Sequence, residues 1–464
     1  MPSKISSVVH KSCTECVRSI ACAFMLCFAL IFSISIPTTE ALAEVKSSDW
    51  ICSSSVAERS LSASLCPSIE AEHAILVDPD GKVLFARGAY DRANIASITK
   101  VMTAIVALDI APLDTKVTVT QDAGSVGESS ARLLVGDVLS LENALKALMI
   151  PSGNDAALAI SESLGKSILG AKSDEDGNAA FVKKMNEMAQ SIGCTDTVFE
   201  NPHGLDFDKY AGDLHSTAAD VAKMVAYAMQ NELFRSIVDM SSAQIPVERG
   251  GATTTVEVLT TDLLLGNYEG ACGVKTGYTE LAGACFAGAC NRGDGYIYAI
   301  VLNSPSESQR FTDTTTLFNW YYKYKTDYKL ANSEEIVSAN IGSATEVPVV
   351  AKVALSGWLD KTVNATFANP DATVRIFELK GNVSQSFEFF DVGGSVEVGE
   401  VIGKAYFWQH NELIAEQDIV SCEKVEPPGV LDTLHIGWER FLSLFTGAST
   451  SAKSIILNDT PIIL

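Results

Sequence analysis

Basic residues are scarce in this chain. Its 464 residues carry 34 Lys and Arg against 57 Asp and Glu, a formal net charge of −23. A surface that grips nucleic-acid phosphates needs clustered cations, so nucleic acid is excluded as a partner. The sign of the charge says nothing about the fold. Histidine is sparse as well, with six residues, and no Cys/His spacing resembles a zinc site. Neither a metal nor a cofactor is expected. No G-x-S-x-G elbow surrounds any serine, which removes the hydrolase arrangement built on that turn. His203 and His215 are therefore not read as members of a Ser-His-Asp triad, and Asn201-Pro202-His203-Gly204 reads as a loop brace.

Of eleven cysteines, Cys13, Cys16, Cys22 and Cys27 fall in an N-terminal segment with its own pattern. Lys4, Lys11 and Arg18 precede an apolar run from Ile20 to Ile36, Pro37 breaks it, and Ala41-Leu42-Ala43 offers small residues for cleavage. This predicts a signal peptide over 1–43 and an exported protein. The alternative is an uncleaved anchor helix, for which the run is barely long enough. Seven cysteines remain after cleavage, and outside the cytoplasm disulfides are possible, with Cys52–Cys66 the favoured pair.

At 47% hydrophobic residues and this length the chain can hold two or three domains. Residues 44–68 are polar and Ser-rich and read as a loosely ordered leader. His73–Asp78 and Lys82–Ala86 flank Pro79-Asp80-Gly81, a hairpin signal. Apolar residues at helical spacing predict helices from 97 to 110, 139 to 148, 155 to 164, 179 to 192 and 218 to 229. Strands are expected over 273–279, 284–289 and 296–303, then a helix over 306–324. Strands from both ends around a helical middle imply one unit over 69–330. Short Val- and Phe-rich runs over 335–426 imply a separate small β domain. After Pro427-Pro428-Gly429, Leu431, Leu434, Trp438, Phe441, Leu442 and Phe445 fall on one helical face. That amphipathic helix, within 427–447, suits peripheral membrane contact through 430–445. A helix docked on the protein or a partner has nearly equal standing, since His435 and Arg440 are its only basic residues. The tail, 448–464, carries no readable pattern.

Three short motifs in one order carry the chemistry: Ser97-Ile98-Thr99-Lys100, Ser152-Gly153-Asn154 and Lys275-Thr276-Gly277. Each is weak alone. S-x-x-K also occurs at Ser163–Lys166 and Ser421–Lys424, and Ser-x-Asn at Ser338–Asn340, whereas K-T-G occurs once. Ser97 stands where a polar stretch gives way to a helical run, at a helix N-terminus that favours developing negative charge. Lys100 shares its helix face. A neutral lysine can take the serine proton if burial and a second cation lower its pKa, and Lys275 can be that cation. Ser152 and Asn154 end one helix and open the next, where a hydroxyl and an amide can point into a cleft. Lys275 and Thr276, on a strand, can bind a carboxylate, and Gly277 leaves room for close approach.

The ordered trio resembles that of the low-molecular-weight penicillin-binding proteins, serine D-alanyl-D-alanine carboxypeptidases of peptidase family S11. The resemblance runs from the hairpin at His73 to the helix ending near Tyr324, and takes in Asn201-Pro202-His203-Gly204-Leu205 and His215-Ser216-Thr217. It implies an α+β fold, a β-lactamase/transpeptidase-like domain with an antiparallel sheet flanked by helices. The β domain and terminal helix resemble appendages of that family. It further implies that Ser97 is the acylated nucleophile and Lys100 its base, with Ser152 relaying protons. Asn154 would position substrate, and Lys275, Thr276, Gly277 and Tyr278 would bind it. The backbone N–H groups of Ser97 and Tyr278 would form the oxyanion hole, and Arg310 would help to recognise the carboxylate. The implied substrate is a peptidoglycan stem peptide, and β-lactam antibiotics would inhibit by acylation. A β-lactamase would use a glutamate base after the Ser-x-Asn motif. Glu200 is the nearest of that type, but the Glu-x-x-x-Asn arrangement is absent. A non-catalytic cell-wall scaffold would not need every motif residue intact.

Overall fold

The computed structural model describes residues 45–447 and 449–463. The expected signal segment, 1–43, lies outside them. The segment expected to be a loose leader is ordered. It supplies strands β1 (Trp50–Ile51) and β2 (Ser54–Ser55) and a short helix α1 (Val56–Arg59). Strand β1 pairs with β4 (Val83–Arg87), the second strand of the hairpin begun by β3 (His73–Val77). Beneath that pairing Asp49 and Arg87 form a buried ion pair at 2.6–2.8 Å. Two residues of strand are too few to show alternation, which is why the sequence reads as loop.

A small antiparallel sheet follows from β5 (Lys116–Thr118), β6 (Val138–Ser140) and the hairpin β7 (Ser242–Arg249) and β8 (Ala252–Leu259). The main sheet is completed by β9 (Ala271–Thr279), β10 (Gly283–Cys290) and β11 (Ile297–Ser304). Its seven strands run in the order β2-β1-β4-β3-β11-β10-β9, all antiparallel, with β9 at one edge. Side chains alternate between two cores: Tyr298, Ile300 and Leu302 face one, Ile297, Ala299 and Val301 the other. Both faces are covered, so the strands read as unbroken apolar runs. Fully buried Phe85, Phe286 and Phe318 each contribute about 1.5–3 kcal/mol by leaving water.

The first core is built by helices α2 (Thr99–Ile110), α3 (Leu141–Met149), α4 (Asn154–Ser167), α5 (Asp174–Ser191), α6 (Ala218–Ala228) and α7 (Glu232–Val238). Ser140, Ser173 and Thr217 cap α3, α5 and α6 by accepting backbone N–H groups three residues on. Helix α2 is buried on every side from Thr99 to Ala107. The opposite face packs on α8 (Gln309–Tyr324), with the former leader beside it.

Beyond Tyr324 a third core forms around Val353, Val363, Phe367, Phe407 and Ile419, within a six-stranded antiparallel sheet. The tail joins this sheet. Ile455–Ile456 pairs with Ala351–Ala354. Asn458 is buried, accepting from Asn332 N–H at 2.7 Å and donating to Leu330 O at 2.9 Å. Helix α9 (Val430–Thr446) buries Ile436, while Leu431, Leu434, Trp438, Phe441 and Phe445 remain exposed.

The favoured Cys52–Cys66 disulfide is not formed. All seven described cysteines are free thiols. Cys66 Sγ donates to Ser62 O at 3.5 Å, and burial pushes the Cys52 thiol up to about 11.

Candidate active site

Ile95 breaks the extended chain, and Ala96 takes a left-handed φ of +46°, an unusual conformation for a residue with a side chain. The 3-10 turn Ala96–Ile98 then runs into α2 with no side-chain cap at either start. Ser97 therefore sits half-buried at an uncapped N-terminus. Lys100, one turn on, is fully buried. Its Nζ lies 2.7 Å from Ser97 Oγ, 2.7 Å from Asn154 Oδ1 and 2.8 Å from His203 O. Burial holds its pKa well below the usual lysine range, the charge of Lys275 lowers it further, and Asp155 opposes. In the neutral form the amine donates to the Asn154 and His203 oxygens. Its lone pair then faces the Ser97 hydroxyl proton.

Ser152 occupies the turn between α3 and α4 with φ +65°. It is buried, and its Oγ has no hydrogen-bond partner among the described residues. Asn154 Nδ2 donates to Gly127 O at 3.0 Å. Asp155 accepts from Ser130 Oγ at 2.6 Å and from the N–H groups of Ala131 and Leu133. That carboxylate pins the 128–133 loop, whose Glu128 and Ser129 line one wall of the cleft.

The opposite wall is edge strand β9. At Gly277 an added Cβ would stand 2.8 Å from Ile95 O and 3.3 Å from Ser97 N, so the strand reaches the nucleophile turn because this residue has no side chain. Thr276 Oγ1 bonds Thr261 Oγ1 at 2.6 Å, and Lys275 Nζ donates to Thr276 O at 3.0 Å. Lys275 is buried and pulled down to about 7, first by burial, then by Arg310, with Asp262 opposing. Arg310, on α8, donates to Gly277 O at 3.0 Å and pairs with Glu307 at 2.9 Å. Ser97, Ser152, Asn154, Thr276, Tyr278 and Arg310 line one cleft of about 600 Å³, with Lys100 and Lys275 buried in its floor and wall. Every expected site residue is thus brought to one place.

The third support is the loop Asn201–Leu205. Asn201 accepts from Gly204 N–H and donates to Leu205 O. Gly204, at φ +91°, lies so close to the Ala96 carbonyl that a Cβ would clash at 1.9 Å. His203 is buried and acts through its backbone oxygen. Its ring packs edge-on against Tyr210 at 4.5 Å, and burial pushes its pKa well down. The ring Nδ1 accepts from Leu205 N–H at 3.2 Å, and among the described residues no serine or carboxylate hydrogen-bonds the ring, in keeping with a brace. Exposed Glu200 accepts from Asp213 N–H at 2.9 Å and is not among the cleft residues.

Sequence reasoning missed several cleft residues. Glu128, Asp206 and Glu307 line it, and Asp206 ties Asn94 to Thr279, both at 2.9 Å. Asp262 lies next to the Lys275–Arg310 pair. None belongs to a spaced pattern. The one signal for Asp262 is an acid opening the run Leu263-Leu264-Leu265.

A family model described as D-alanyl-D-alanine carboxypeptidase matches residues 60–306. The chain is 26% identical over 376 residues to D-alanyl-D-alanine carboxypeptidase DacF of Bacillus subtilis, covering 79% of this chain and 88% of that protein. To a D-alanyl-D-alanine carboxypeptidase of Streptomyces it is 32% identical over 248 residues, or 52% and 82% of the two chains. The crystal structure of a Streptomyces DD-transpeptidase matches with a TM-score of 0.52 and 31% identity, covering 55% of this chain and 98% of that one. D-alanyl-D-alanine carboxypeptidase DacD from Francisella tularensis, at 20% identity, shares the fold at a TM-score of 0.51 over 78% and 94% of the chains.

Proposed function

This chain belongs to peptidase family S11, the serine D-alanyl-D-alanine carboxypeptidases among the low-molecular-weight penicillin-binding proteins, and we propose that Ser97 is its acylated nucleophile. The enzyme acts on peptidoglycan stem peptides. Lys275, Thr276 and Arg310 take the terminal carboxylate, and Asn154 positions the peptide amide. Ser97 Oγ attacks the carbonyl of the penultimate D-alanine, and Lys100 Nζ accepts the hydroxyl proton. The oxygen that gains charge is held by the N–H groups of Ser97 and Tyr278. Ser152 relays the proton to the departing amine, the C–N bond breaks, and D-alanine leaves. Water then hydrolyses the Ser97 ester and regenerates the hydroxyl. A penicillin enters the same sequence and stops at the ester.

The observation that carries this reading is the buried Lys100 amine 2.7 Å from Ser97 Oγ, in surroundings that disfavour its charged form. The test is D-alanine release from a Lys-D-Ala-D-Ala peptide and labelling by a fluorescent penicillin, wild type beside Ser97→Ala. Loss of both supports the assignment. Labelling retained in the variant would sink it.

The same reading extends to location. The signal pattern over 1–43 supports export to the cell-wall space. The apolar face of α9 supports peripheral contact with a membrane surface: Leu431 is 82% exposed and Trp438 59%. Among the described residues no helix is long and apolar enough to cross a membrane. Residues 69–330, with the 45–68 segment built into their sheet, would then be the catalytic domain and 335–426 the spacer between it and the surface.

A further inference from the structure

Asp262 is a buried acid that the reaction above leaves unused. Its neighbour Thr261 bonds Thr276, which pins the turn beside Lys275. Asp262 is 5% exposed, Oδ1 accepts from Leu264 N–H at 2.8 Å, and Oδ2 is buried without a hydrogen-bond partner among the described residues. An unpaired buried carboxylate oxygen is costly unless cations face it. The Leu264 N–H, the charge of Lys275 on β9, the Leu265 N–H and the charge of Arg310 on α8 all favour its ionised form. Cys272 of β9, a neutral thiol, also feels it. Around Lys275 the charged groups are Arg310, Asp262 and Lys100. Around Arg310 they are Glu307 and Asp262, with the Cys285 thiol beside them.

We propose that Asp262 is the internal counter-charge of the carboxylate subsite, holding Lys275 in its protonated form to higher pH than it would otherwise reach until a substrate carboxylate arrives. The proposal rests on the reading in which Lys275 binds that carboxylate. Burial pushes Asp262 up to about 6, and Lys275 is pulled down to about 7. Below about 6 the acid is neutral and both cations are charged. Between the two values Asp262 is ionised opposite a protonated Lys275, and above about 7 Lys275 loses its proton. Among the described residues Asp262 is the one negative group that acts on Lys275, so without it the lysine deprotonates at lower pH. The effect reaches one step further, because the Lys275 charge helps to keep Lys100 neutral. Asp262 is thus a positioning residue acting through charge.

The test is Asp262→Asn, which keeps shape and the Oδ1 acceptor, with Asp262→Glu as the charge-restoring variant. KM and kcat for a Lys-D-Ala-D-Ala peptide are followed from pH 5 to 9. At pH 5, where Asp262 is protonated, the Asn variant should match wild type. By pH 7.5 its KM should be about tenfold higher, the effect of a one-unit fall in the lysine pKa. The Glu variant should recover part of this difference. An Asn/wild-type KM ratio that is the same at pH 5 and pH 8, whether near one or large, overturns the proposal, since a purely structural role has no reason to follow the titration. Lys275→Met, run alongside, separates the two failures. If it leaves KM unchanged, the carboxylate reading has failed and the counter-charge falls with it. If it raises KM while Asp262→Asn shows no pH-dependent difference, the counter-charge alone has failed.

Discussion

Two lysines in the cleft do opposite work, and the buried environment that suits one strains the other. Lys100 needs to be neutral. Its folded pKa lies below the unfolded value, so the competent form is populated above the folded pKa and lost as pH falls through it. Acylation by penicillin should therefore show an acid limb. Lys100→Arg, which cannot release its proton, should slow acylation by about 10²–10⁴ at every pH, as stopped-flow labelling would reveal. Ser152→Ala, with no hydrogen-bond partner among the described residues to lose, should leave folding intact and slow the same reaction by about 10²–10⁴ as a lost proton relay.

Lys275 needs its charge, and burial opposes it. Its folded pKa of about 7 is depressed from an unfolded value of about 10.4. Protonation therefore favours unfolding, most strongly below about pH 7, and the penalty fades as pH rises toward the unfolded value. Lys275→Met removes this titration, so the gain in stability that the wild type shows between pH 6 and pH 10 should be smaller in the variant, while productive substrate binding is abolished. Thermal unfolding at the two pH values checks the sign. These reactive residues were legible in the sequence because each sits in a short motif with fixed spacing. Asp262, Thr261 and Glu128 were not, because their place beside the cleft is set by tertiary packing and leaves no local pattern.

At the scale of elements, long periodic segments were readable and short ones were not. The strands at His73–Val77, Gly283–Cys290 and Ile297–Ser304 and most of the helices were visible as apolar patterns. The hairpin β7–β8 was missed although Gly250 and Gly251 mark its turn, since Pro246 demotes the first run as a strand. The leader is the clearest difference. Its contribution to the sheet is two strands of two residues each, so its place is decided by Asp49, which is fully buried against Arg87. Breaking a buried pair from one side leaves a charge unmatched, at a cost of about 3–5 kcal/mol. Asp49→Ala should lose about that much in denaturant unfolding and take the catalytic core with it, because Val56, Cys66 and Ile69 share a core with Phe85 and Phe286. A two-stage transition, with the leader melting first at little cost to the rest, would show that the segment is an appendage after all.

For the whole molecule, the open question in the sequence was whether α9 docks on the protein or faces a surface. Its Ile436 is buried, and Arg440 donates to Ser356 O, while the apolar face around Trp438 and Phe445 stays open. Removing the chain from Gly447 onward would be a poor test of that face, because Ile455–Ile456 and Asn458 are stitched into the last sheet. Substitution is cleaner. Replacing Leu431, Leu434, Trp438 and Phe445 together by Ser should abolish co-flotation with phospholipid vesicles and leave penicillin acylation unchanged. The charge pattern adds a second expectation. Asp432 and Glu439 outnumber Arg440 on the helix, and the whole chain is at −23, so no electrostatic attraction to anionic lipid is available. Binding should rest on buried apolar area alone. It should be at least as strong to neutral phosphatidylcholine vesicles as to anionic ones, and should hold or strengthen as salt screens the repulsion. Binding that required anionic lipid and washed off in salt would point away from α9 as the contact.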